Sequence, residues 1–93
     1  MKYEIIATSR FKNELKLIVR RNKDLKKIRE VVNRLANNEK LEERYKDHQL
    51  INNQRFKDCR ECHIEPDWLL VYRINNENLI LLLVETGSHS DLF

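Results

Sequence analysis

The sequence predicts an α+β fold in the order β-α-α-β-β-β, a curled, mainly antiparallel sheet packed on a two-helix hairpin. Three observations carry this expectation. Apolar residues recur with the helical period over two segments in residues 9–36. The period then changes to two over residues 55–85, where turn residues punctuate three apolar runs. The connections between those runs are short, so they predict an antiparallel meander.

Residues 2–7, "KYEIIA", read as an opening strand, and Thr8 or Ser9 offers an N-cap. In "RFKNELKLIVRR", Phe11, Leu15, Ile18 and Val19 share one face at i, i+4, i+7, i+8, leaving a basic outer face. "NKD" interrupts this helix, and Asp24 caps the next. There Leu25, Ile28, Val32 and Leu35 repeat at i, i+3, i+7, i+10, and "ANN" ends the helix. The short break predicts an antiparallel pair. Residues 38–54 read as a polar loop, long enough to suggest a functional role. "RFKDCRECHI", "WLLVYRI" and "LILLLVE" are the three predicted strands, separated by "EPD" and "NNEN".

Ninety-three residues with 41% hydrophobic content support one modest core, hence one domain over residues 1–93. One Gly and one Pro exclude a low-complexity chain. Apolar runs of about six residues are far short of the ~20 that span a bilayer. The first ten residues lack the apolar stretch of a signal peptide. A cytoplasmic protein with no membrane partner is the expectation. Residues 1–34 carry 11 Lys/Arg against 4 Asp/Glu, and residues 35–93 carry 7 against 11, so balances of +7 and −4 make the net +3. The basic N-terminal third suits a polyanion such as RNA or an acidic protein partner; basic helix faces that are simply solvated are the alternative.

Cys59 and Cys62 form a C-x-x-C, but in a strand an odd separation sends the two side chains to opposite faces. At ~3.3 Å per residue their Cα atoms would lie about 10 Å apart, beyond disulfide reach. Reduced packing cysteines are expected. The candidate chemistry lies in His48, His63 and His89, each with a carboxylate close in sequence: Asp47, Asp67 and Asp91. Imidazoles move protons near neutral pH. No two have the i, i+4 spacing of a helical metal site. Lys46 with Arg44 beside His48, and Arg60 before His63, place cations where a phosphodiester transition state would need them. Ion pairs with Glu42, Glu43 or Glu61 are the plainer use. Trp68 opens a strand, so it is either core packing or a platform for an unpaired base.

The stretches "YKDHQL", "RECHIEPDWLLVYRI" and "TGSHSDLF" resemble, in order and spacing, the YafQ-like branch of the RelE/ParE toxin superfamily of type II toxin–antitoxin pairs. They cover most of residues 45–93, and the element order matches the RelE-like fold. The resemblance implies a metal-independent and cofactor-independent endoribonuclease that cuts mRNA on the ribosome. In such enzymes the 2′-hydroxyl attacks the adjacent phosphate, leaving a cyclic phosphate and a 5′-hydroxyl. The acid–base set maps onto His48, His63, Asp67 and His89. Asp67 and His89 are the expected proton carriers, with His48 and His63 orienting or stabilising charge. Trp68 and Phe93 fall where the family shapes the site and holds a base; Lys46 and Arg60 are the expected RNA-binding cations. Implied partners are a DinJ/RelB-like antitoxin with an acidic segment, mRNA and ribosomal RNA, and operator DNA through the toxin–antitoxin complex. Relatives often have proline where Gln49 stands, and an arginine just before the "GSH" element, where this chain has Glu85 and Thr86. A carboxylate there is expected to repel the scissile phosphate. The alternative function is a weakly active or non-catalytic homologue that binds antitoxin and co-represses its operon.

Overall fold

The computed structural model describes residues 2–93. Strand β1 (Glu4–Ala7) leads into helices α1 (Ser9–Arg20) and α2 (Leu25–Ala36). A 3₁₀ turn at Glu43–Tyr45 and the two-residue strand β2 (His48–Gln49) follow, then β3 (Arg60–Glu65), β4 (Trp68–Asn75), β5 (Ile80–Gly87) and the short helix α3 (His89–Leu92). The sheet order is β1-β5-β4-β3-β2. β1 pairs parallel with β5, and every other pairing is antiparallel. The α+β class and the order of the main elements agree with the sequence.

Local chemistry explains the boundaries. Thr8 caps α1 by accepting from the Phe11 N–H at 3.0 Å, while its hydroxyl donates to the Val84 carbonyl at 2.7 Å. Asp24 caps α2 through the Lys26 N–H. Asn22 and Asn38, both at φ 61°, stop the two helices in the left-handed conformation, which asparagine tolerates better than most non-glycine residues.

Three expectations need correction. Val19 is 48% exposed, because it sits about 80° around the helix from Phe11, at the rim of the apolar stripe. Residues 38–54 are not a plain loop: Leu41 and Tyr45 are buried in the main core, and His48–Gln49 add a strand to the sheet edge. Residues 55–59 are turns rather than strand. Asn53 Oδ1 accepts from the Arg55 and Phe56 N–H groups, and Asp58 adopts φ 59°, which breaks the extended run.

The sheet has two buried faces. Ile28, Val31 and Leu35 of α2 and Phe11 and Ile18 of α1 cover Cys62, Leu70, Tyr72 and Leu81. On the opposite face Phe56, Cys59, Leu69, Val71 and Leu92 form a smaller cluster. Cys59 and Cys62 thus lie on opposite faces, both free, and burial pushes the Cys62 thiol well above its usual range.

The second face is closed by the C-terminal segment. Ser88 and Asp91 form a capping box at α3, and Arg21 clamps Asp91 with bonds of 2.6 and 3.1 Å. The single glycine, Gly87, permits this turn: a Cβ there would stand 2.9 Å from the Asp91 Cβ. Leu92 is buried, so the tail is fastened rather than frayed.

Helix α1 is fastened to β5 through Glu14, whose Oε1 accepts from the Thr86 N–H at 3.1 Å. Burial, then a hydrogen bond with the neighbouring Glu85 carboxyl, raises the Glu14 pKa from 4.5 to about 7. The folded chain therefore holds this proton more tightly than the unfolded chain. Its contribution to stability is complete below about pH 4.5 and is lost as pH rises through about 7. The Glu14→Gln variant keeps the acceptor for Thr86. It should show a smaller fall in thermal midpoint between pH 5 and pH 8 than the unmodified chain. An unchanged slope in melts across that range would rule the assignment out.

Candidate active site

Four segments meet on the second face of the sheet. Register places His48 of β2 opposite Glu61 of β3. His63 lies two residues beyond Glu61 on the same face, next to a bulge between His63 and Glu65 that marks the end of β3. Asp67 sits in the β3–β4 turn, and His89 opens α3, which crosses back above it.

Each imidazole is held through Nδ1. His48 Nδ1 lies 2.7 Å from the Lys46 carbonyl, His63 Nδ1 3.2 Å from the Pro66 carbonyl, and His89 Nδ1 2.8 Å from Asp67 Oδ1. A carbonyl only accepts, so His48 and His63 donate from Nδ1, which leaves Nε2 for other work. Nε2 of His63 is 3.3 Å from Glu61 Oε1, and Nε2 of His48 is 3.8 Å from the same oxygen. Glu61 is 5% exposed, a buried carboxylate shared between two histidines. The His63 and His89 rings stand edge to face, 5.7 Å apart.

Asp67 partners His89 directly. One oxygen, Oδ1, accepts from both the His89 backbone N–H, at 2.9 Å, and the His89 ring. The backbone bond is the main reason its pKa lies below the usual carboxylate range, and the ring bond is the second. A carboxylate held this way favours its ionised form and is placed to orient the imidazole, as the carboxylate of a histidine triad is.

The other expected residues divide. Phe93 is half exposed, 6.5 Å from the His89 ring and edge-on to Phe56 at 5.6 Å, so it borders the cluster. Lys46 lines a cleft of about 540 Å³ together with Lys27, Arg44 and His63 and with the carboxylates of Glu30 and Glu65. Trp68 does not border the site. It is 1% exposed, belongs to the helix-side core and donates from Nε1 to the Thr86 hydroxyl at 2.9 Å. Its strand parity matches Leu70 and Tyr72, which turns it away from any base. Arg60 also points to the helix side. It bonds Asp47 Oδ1 and the Tyr72 hydroxyl, both at 3.3 Å, and so braces the segment carrying His48 instead of reaching the histidines.

Glu61 was not among the sequence-derived site residues. Strand alternation with His63 was the available signal, since "ECH" puts the carboxylate and the imidazole on one face. Glu85 also differs from expectation. It is buried, and both its oxygens accept from Arg55 Nη2, at 2.7 and 2.9 Å, while Arg10 Nε lies 3.1 Å away. Its charge is thus matched rather than left bare.

Residues 3–93 match the family described as bacterial toxin of type II toxin–antitoxin system, YafQ. The chain belongs to the YafQ toxin family. It is 34% identical over 91 residues to the mRNA interferase toxin YafQ of Escherichia coli K12, covering 97% of this chain and 95% of that protein. A metal-bound toxin from Helicobacter pylori shares 44% identity over the full length of both chains, with a TM-score of 0.91. YafQ in the E. coli DinJ–YafQ complex shares 35% identity, with 98% of each chain covered and a TM-score of 0.86.

Glu61, His63 and His89 each offer one ligand atom within 4.8 Å of the others. Imidazole and carboxylate are a donor set that suits zinc or copper. Ligands about 2.1 Å from a zinc ion lie about 3.4 Å apart, so a bound ion would draw these three inward.

Proposed function

We propose that this YafQ-family toxin is a ribosome-dependent mRNA interferase whose proton transfers centre on His89. The chain is an endoribonuclease: the 2′-hydroxyl attacks the neighbouring phosphorus, the 5′-oxygen leaves, and the products carry a 2′,3′-cyclic phosphate and a 5′-hydroxyl. One group must take the 2′-hydroxyl proton and another must give a proton to the 5′-oxygen. The Asp67–His89 pair supports this reading most directly. Asp67 fixes the ring through Nδ1, leaving Nε2 to exchange a proton with RNA. His63 and His48, both facing Glu61, supply the second proton position and positive charge beside the phosphate. Lys46 holds the RNA backbone in the adjoining cleft.

The relatives in the DinJ–YafQ complex support an antitoxin partner of DinJ type. Its acidic segment would neutralise the basic α1–α2 pair, and operator DNA would be met through that complex. The protein acts where ribosomes are, in the cytoplasm.

The test is cleavage of a defined mRNA by purified chain on translating ribosomes, with primer extension locating the cuts and phosphatase treatment reporting the 3′ ends. Cuts that need ribosomes and leave cyclic phosphate are expected. Intact mRNA under these conditions would favour the antitoxin-binding, operon-repressing alternative.

A further inference from the structure

The Glu85–Arg55 contact has a geometry that structural pairing alone does not require. Arg55 comes from the turn between β2 and β3, and Glu85 from β5, 30 residues later. Nη2 is bound to both carboxylate oxygens, and Nη1 donates to the Leu92 carbonyl at 2.8 Å. The guanidinium is therefore fixed at three points, yet the side chain is 43% exposed. It lies over the Phe56 ring, 4.8 Å from the centroid. Phe56 meets Phe93, and Phe93 meets His89. A row thus runs from the proton-transfer imidazole across an exposed aromatic ring to an immobilised cation.

The charge count favours an anion at the end of this row. Glu85 serves two guanidiniums, since Arg10 approaches it at 3.1 Å from the α1 side. Two positive charges against one leave an excess of one. Glu14, the other carboxyl beside Glu85, is partly protonated at neutral pH and offsets only part of it. Arg55 also keeps its Nε–H and one Nη1–H without a partner among the described residues. A phosphate oxygen is the acceptor that a fixed, partly used guanidinium takes best. The exposed Phe93 ring, separated from the guanidinium by the buried Phe56 ring, suits a base, because stacking on aromatic rings is tolerant of sequence.

We propose that Arg55 is the phosphate-binding residue of a nucleotide subsite flanking the scissile position, with a base packed on Phe93 and with Glu85 as the clamp that aims the guanidinium. This rests on the reading that the histidine face takes RNA. On it, Glu85 does not repel the substrate: it holds in place the cation that recruits it.

The probe is a short single-stranded RNA with 2′-fluoro substitution throughout, which binds but cannot be cut by 2′-hydroxyl attack. Fluorescence anisotropy is measured across a salt series for the unmodified chain and for Arg55→Gln, Arg55→Lys, Glu85→Gln and Arg10→Gln. Arg55→Gln should weaken binding about tenfold and reduce the slope of log K against log salt by about 0.7, the value for one phosphate contact on a single strand. Arg55→Lys should recover the slope but not the full affinity, because lysine lacks the planar fork. Glu85→Gln should keep the slope and lose affinity. Arg10→Gln removes the same unit of charge but no phosphate contact, so it should keep the slope and lose less affinity than Arg55→Gln. Thermal melts of each variant exclude unfolding as the cause, and Arg55→Lys serves if Arg55→Gln does not fold.

Equal loss in Arg10→Gln and Arg55→Gln would overturn the proposal in favour of general charge. So would an unchanged slope in Arg55→Gln, or no binding by the unmodified chain at low salt. The two readings fail separately. A chain that cuts mRNA on ribosomes while Arg55→Gln binds normally loses only this subsite. A chain that binds through Arg55 but cuts nothing loses only the nuclease.

Discussion

Replacing His89 with alanine should abolish mRNA cleavage while leaving the fold intact. The ring is half exposed and makes no core contact, so its removal forfeits little packing energy. The His89 backbone N–H still donates to Asp67, so the start of α3 keeps its anchor. On the proposed mechanism, the reaction loses the imidazole that exchanges a proton with RNA. General acid or base catalysis contributes roughly 10²–10⁴ in rate, and a loss in that range is expected in the ribosome assay. Expression of the unmodified chain should arrest growth, and expression of His89→Ala should not. Asp67→Asn separates orientation from proton transfer. The amide oxygen can still accept from the backbone, but the ring loses its ionised partner and the preference for presenting Nε2. A smaller loss of rate is expected, with substrate binding nearly unchanged. If His89→Ala cuts mRNA as fast as the unmodified chain, the dyad is not the reacting centre.

The sequence carried most of the architecture because the apolar periods were clean. The stripes of α1 and α2, the Thr8 and Asp24 caps and the β3–β4–β5 meander all follow from local pattern. Strand β2 was hidden because two polar residues have no period, and only pairing with β3 makes them a strand. The turn at 55–59 was misread because alternation there is genuine in the sequence, while the Asn53 side chain and the left-handed Asp58 redirect the backbone.

The candidate site was legible only in part: the three histidines and Asp67 come together, while Trp68 and Arg60 turn to the helix side. His48, His63 and His89 stand on separate elements, and their convergence depends on the register of β2 with β3 and on α3 folding back over Asp67. Glu61 was readable from parity with His63. The Glu85–Arg55 pair was not, because a turn and a strand distant in sequence supply it. With one glycine in the chain, asparagine and aspartate hold several of the left-handed positions at Asn22, Asn38, Asn52 and Asp58. Glycine-based turn signals were therefore weak as well.

Trp68 gives the largest expected effect on stability, and it also decides between two readings of one residue. A tryptophan at the start of a strand beside a nuclease site invites the assignment of a base platform. Its surroundings assign it to the core. It is 1% exposed, and its indole N–H donates to Thr86, whose hydroxyl donates in turn to the Leu69 carbonyl at 2.7 Å. Trp68→Ala should therefore cost about 3–5 kcal/mol, the range for deleting a large buried aromatic side chain. That is a large part of the ~5–15 kcal/mol that keeps a typical domain folded. Trp68→Phe fills most of the space but leaves the Thr86 oxygen without its donor, at a cost of about 1–3 kcal/mol. Urea unfolding measures both. The activity of Trp68→Phe, corrected for the folded fraction, should equal that of the unmodified chain. A base platform behaves in the opposite way, since losing indole stacking weakens RNA binding while stability hardly moves. A stable Trp68→Phe with weak RNA binding would return Trp68 to the site. A destabilised variant with normal activity per folded molecule keeps it in the core, where it joins β4 to β5 on the face opposite the candidate site.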